Sequence, residues 1–148
     1  MRNTKDKTGQ ELSYYRFSLL SYLKENHPKR TGNAAFIKER ADAAAETYSN
    51  AVKNGQTHVE AGELASEKLF QGLHFSPYNT LVNILWNEFS DDISEESAKE
   101  IAHQILPLCS EVLDKYTLSD DFAGTSQYDE LYTELTGTVE ILLEDGLQ

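Results

Sequence analysis

Apolar positions recur along this 148-residue chain with helical spacing, from Leu12 to Leu142. Leu12, Tyr15, Leu19, Tyr22 and Leu23 fall three or four residues apart and mark one face of a helix over 11–26, which Tyr14, Phe17 and Leu20 widen. His27-Pro28 ends it, because a proline pushes the preceding residue out of helical conformation. Residues 29–32 read as a loop. Asn33 is placed to cap a second helix in which Phe36, Ile37, Ala41, Ala44, Ala45, Tyr48 and Val52 share one side, with Asn54-Gly55 as its stop. Its alanines predict close helix packing. Thr57 and Glu60 have the spacing of a capping box, and Val59, Ala61, Leu64, Ala65, Leu69 and Phe70 give the third helix its face.

The third helix stops at Gly72 and the chain turns through Leu73, His74 and Phe75. Ser76-Pro77 restarts it, a serine cap with proline at the first helical position. Tyr78, Leu81, Val82, Ile84, Leu85, Trp86 and Phe89 are apolar on nearly every side of this fourth helix, which predicts the core helix of the fold. Ser94 caps a fifth helix carrying Ala98, Ile101, Ala102, Ile105, Leu108, Val112, Leu113 and Tyr116, with a kink or break expected at Pro107. Residues 115–125 read as an irregular connection. Tyr128, Leu131, Leu135, Val139 and Leu142 make the last helix, weakened at Gly137 and closed by Asp145-Gly146. The pattern predicts an all-α fold of about six helices in an orthogonal multihelical assembly. A single compact unit over 1–148 is expected, its halves meeting around Gly72 to Ser76.

Charge divides the chain unevenly. Residues 1–74 hold 11 Lys+Arg and 9 Asp+Glu, whereas residues 75–148 hold 2 and 16, within a net charge of −12. A solvated acidic face is the plain reading of the second half. A basic partner is the sharper one, and direct nucleic-acid binding is disfavoured because carboxylates repel phosphates. The hairpin at Asn54-Gly55 resembles a DNA-reading helix-turn-helix only in outline, since its second helix would present Glu60, Glu63 and Glu67 against one Lys68. Residues 1–10 contain no apolar run, and nothing later reaches the length of a membrane span. A cytoplasmic setting is expected. The single cysteine, Cys109, falls in an apolar stretch and is expected to be a buried hydrophobe.

No phosphate-cradling glycine loop, nucleophile elbow or zinc-protease histidine pair occurs. Glu100 and His103 have the Glu-x-x-His spacing of di-iron bundles, but a second copy of that motif is missing, so they are weak metal candidates and no cofactor is expected. His74, between Leu73 and Phe75, could line a small polar pocket with Trp86 and Glu88, and these three form the candidate binding set. Asp91-Asp92 with Ser94, Glu95 and Glu96 suits a helix cap better than a calcium loop. Arg16 and Arg40 lie beside apolar faces, and one of them is expected to be partly buried against a carboxylate.

Four stretches carry a family resemblance: Leu23-Lys24-Glu25-Asn26-His27-Pro28, Phe36 through Ala44, Phe70-Gln71-Gly72-Leu73-His74-Phe75-Ser76, and Leu131 through Gly137. They resemble a small family of hypothetical proteins from Bacteroidetes, and the similarity runs over almost the whole chain. The resemblance implies a multihelical fold divisible into two small helical subdomains, 10–74 and 75–148, and a frequent setting on conjugative mobile elements. It assigns no catalytic or binding residue. The function class left standing is a non-enzymatic protein-interaction or accessory module, whose partner is another protein or, as a homodimer, a second copy. Two other classes are an acidic decoy of nucleic acid that binds a basic partner, and a small enzyme or metal protein using Glu100 and His103 or His74.

Overall fold

Local signals in the sequence set most helix ends. In the computed structural model, which describes the backbone over residues 2–146 and side chains over 12–146, Asn33 Oδ1 accepts the Phe36 N–H at 3.1 Å. Thr57 and Glu60 complete their capping box, with Thr57 N–H donating to Glu60 Oε1 at 3.0 Å and Glu60 N–H to Thr57 Oγ1 at 3.1 Å. Ser76 and Ser94 accept from Asn79 and Ser97. Each cap satisfies an N–H that the first turn of a helix leaves without a partner.

The chain forms two compact units, Met1–Gln71 and Gly72–Gln148. The first contains α1 (Arg2–Asn26), a 3-10 turn at Pro28–Arg30, α2 (Ala34–Lys53) and α3 (His58–Leu69). α1 starts upstream of the predicted Glu11. α2 packs on α3 and on α1, and small residues are buried on both members of the α2–α3 pair: Ala41, Ala44, Ala45 and Ala51 on one helix and Ala61 and Ala65 on the other. Small side chains let the two axes approach closely, and the reversal between them needs Gly55, whose φ of +92° lies in the left-handed region. Tyr15, Leu19 and Leu23 are the buried stripe of α1.

The second unit contains α4 (Pro77–Glu88), α5 (Glu95–Ile105), a 3-10 turn at Leu106–Cys109, the single-turn α6 (Ser110–Leu113), a 3-10 turn at Phe122–Gly124, and α7 (Ser126–Glu144). Among the described residues there is no strand, and the fold is all-α. Pro107 breaks the predicted fifth helix into α5 and α6, since it cannot donate the hydrogen bond that would continue the ladder. Gly137 leaves α7 unbroken. Tyr78, Leu81, Val82, Ile84 and Leu85 of α4 are buried among residues of α5, α6 and α7, as a core helix requires. The expectation that α4 is apolar all round needs one correction: Trp86 is 38% exposed, beside exposed Asn87 and Glu88.

Candidate functional site

The most distinctive surface lies on the first unit. Tyr14 and Tyr15 of α1, Tyr48 of α2, and Val59, Gly62, Glu63, Ser66 and Glu67 of α3 line an open groove of about 670 Å³. The five α3 residues recur at i, i+3, i+4, i+7 and i+8, so they form one stripe beside the buried stripe of Ala61, Ala65 and Leu69. Tyr14 and Tyr15 meet edge to face with centroids 5.5 Å apart. Tyr48 is fixed by a 2.6 Å hydrogen bond between its hydroxyl and His58 Nδ1. Apolar area is left open around the groove: Tyr14 is 66% exposed and Val59 72%.

These exposures correct the sequence reading. It counted Tyr14, Phe17 and Val59 with the core faces of their helices, yet Phe17 is 71% exposed and all three stand in water. Tyr14 and Tyr15 are adjacent, so they point about 100° apart on a helix, and the packing that buries Tyr15 leaves Tyr14 in water. That adjacency was the available signal. Gly62 is a second feature the sequence reading did not use. A Cβ there would meet nothing within 4 Å, so the fold has room for a side chain, whereas glycine inside a helix costs about 0.5–1 kcal/mol relative to alanine.

The residues singled out from the sequence are dispersed. His74 is exposed in the turn before α4, where its main-chain N–H and that of Gly72 both donate to the Asp120 carboxylate, at 3.1 and 2.9 Å. Trp86 and Glu88 sit at the far end of α4, about 18 Å along a 12-residue helix. Trp86 Nε1 donates to the Glu95 carbonyl at 3.3 Å, and Glu88 accepts from the Tyr132 hydroxyl at 3.0 Å. The fold therefore does not gather His74, Trp86 and Glu88 into one pocket. Glu100 and His103 are exposed on α5, and among the described residues no three His, Cys, Asp or Glu side chains come together as a metal-holding group. Cys109 is fully buried, and burial pushes its thiol up to about 11.

Residues 7–146 match the family described as a domain of unknown function, DUF1896. The chain belongs to that family. The crystal structure of protein PG0816 from Porphyromonas gingivalis, a Bacteroidetes organism, is similar to this DUF1896 chain. It shares 42% sequence identity over 97% of this chain and 98% of that one, with a TM-score of 0.92. No curated protein matches the chain. Among its described residues, no helix of this DUF1896 protein is long and apolar enough to cross a membrane.

A smaller cavity of about 430 Å³ in the second unit is lined by Phe89, Asp92, Ile93, Glu140, Leu143 and Glu144. Its polar lining groups are the carboxylates of Asp92, Glu140 and Glu144.

Proposed function

We propose that this DUF1896 chain is a non-enzymatic protein-interaction module that engages its partner through the aromatic groove of the first unit. The observation that supports this is the groove itself: a tyrosine-lined concavity whose apolar rim, Tyr14 and Val59, stands open to water. Tyrosine suits such a surface because it offers a large, stiff contact area with a polar tip. Exposed apolar clusters of this kind mark interaction sites on otherwise polar proteins. The cytoplasmic setting and service to a mobile element belong to the same proposal, the latter supported by the family resemblance alone.

The test is affinity capture from a Bacteroidetes host with the wild-type chain and with a Tyr14→Asp/Val59→Asp variant, which adds charge where side chains are already exposed. A protein recovered by the wild type and lost by the variant supports the reading. A protein recovered equally by both, or none recovered by either, overturns it.

A further inference from the structure

We propose, resting on the interaction reading above, that the groove receives an amphipathic helix bearing lysines or arginines along the edge of its apolar stripe. The charged residues lining the groove are Glu63 and Glu67, both carboxylates, one helical turn apart on α3. Like charges at this spacing repel, and among the described residues neither forms an ion pair. Two cations one turn apart on an incoming helix would relieve that repulsion and pair with both carboxylates.

The shape of the groove points the same way. Its α3 wall runs from Val59 to Glu67, about 12 Å, or two turns of helix. In its middle, Gly62 and Ser66 are small residues four apart, where an incoming backbone can come close, and the open space above Gly62 is what such an approach uses. Tyr14, Tyr48 and Val59 then contact apolar side chains at i, i+3 or i+4, and i+7 of the guest. A second copy of this chain is a poorer occupant, because the same stripe of a partner copy would bring a second Glu63 and Glu67 against these carboxylates.

Selection from a phage library of scaffolded helical peptides tests this, using the full chain as target and its Glu63→Lys/Glu67→Lys variant as counter-target. The enriched peptides are expected to carry an apolar stripe flanked by Lys or Arg and to bind at least tenfold more weakly to the charge-reversed variant. An Asp91→Asn/Asp92→Asn variant, which removes acid elsewhere, should bind them as the wild type does. Gly62→Ala should weaken binding at least tenfold while raising the melting temperature by about 1–4 °C, a combination that separates lost access from lost folding. The proposal is overturned by enrichment of peptides without basic residues, by equal binding to target and counter-target, by equal weakening in the Asp91/Asp92 variant, or by no enrichment. Sedimentation showing a dimer that Tyr14→Asp abolishes would overturn it in favour of self-association. If host capture still depends on Tyr14 and Val59 while the selected peptides are acidic, the basic-helix assignment fails and the interaction reading survives.

Discussion

Arg40 lies over the ring of Phe36, its Cζ 4.8 Å from the ring centroid. From there Nη1 donates to the carbonyls of Leu69 at 3.1 Å and Gln71 at 2.6 Å. The expectation of a partly buried arginine is met at Arg40 and not at exposed Arg16, and main-chain carbonyls are among the oxygens brought to it. Those carbonyls are there for a physical reason. The last carbonyls of a helix lack intrahelical partners and carry the negative end of its dipole, so the end of α3 presents an acceptor site that no side chain announces.

Arg40→Ala is therefore expected to destabilise the protein by about 2 kcal/mol, the value of hydrogen bonds to a charged donor plus a ring contact. For a chain of this length the melting temperature should fall by about 4–8 °C. Arg40→Lys should recover only part of it, because a point charge cannot span two carbonyls from above a ring. Thermal unfolding followed by circular dichroism measures both, and an unchanged melting temperature for Arg40→Ala would discard the account.

Glu134 accepts hydrogen bonds from Lys115 Nζ, at 2.7 Å, and from the Tyr116 hydroxyl. The Lys115 and Tyr116 hydrogen bonds hold the Glu134 carboxyl below its ordinary range, and the hydrogen bond to Glu134 pushes the Tyr116 phenol up to about 12. The two shifts act at opposite ends of the pH scale. A depressed carboxyl stabilises the fold above its unfolded value and loses that contribution as pH falls through the folded one. A raised phenol stabilises below its unfolded value, near 10, and loses that contribution as pH rises towards about 12. Tyr116→Phe should flatten the alkaline fall in stability between those limits, and Glu134→Gln should flatten the acid side as well. Denaturant titrations from pH 3 to 12 would show it, and parallel curves for wild type and Tyr116→Phe would rule it out.

Phe122 is 1% exposed and meets Phe75 edge to face at 5.0 Å and Tyr116 at 5.9 Å. Removing a buried ring leaves a cavity as well as losing its transfer energy, so Phe122→Ala should cost about 3–5 kcal/mol. Phe122→Leu should cost far less. Because the residue lies in a short 3-10 turn between longer helices, the loss should appear in the unfolding midpoint with little change in native helix content. A loss below about 1 kcal/mol, measured by urea unfolding, would show that the ring is replaceable.

Cys109 should be inert in the native protein. Its burial and its thiol near 11 leave little thiolate at pH 8, so a thiol reagent should label it only as fast as the chain opens. Labelling should become rapid in denaturant. Rapid labelling without denaturant would contradict the packing described for the turn at Leu106–Cys109.

Features that act over a few residues could be read from the chain alone. The caps at Asn33, Thr57, Ser76 and Ser94, the stop at His27-Pro28 and the break at Pro107 each depend on neighbours no more than four positions away. Family membership was legible for the same reason, since it rests on residue order. What the sequence could not settle was how far each apolar face is covered. Periodicity shows that Tyr14, Phe17 and Val59 lie near the apolar sides of their helices, but only the packing of α1, α2 and α3 decides that those sides end short of them and leave a groove. Phe122 shows the converse: set among Ser119, Asp120, Asp121 and Gly124 it looks like loop, yet Tyr116 and Tyr128, six positions to either side, and Phe75, far off in sequence, enclose it. Local chemistry placed the helices, and burial was decided by surfaces that meet only once the chain has folded.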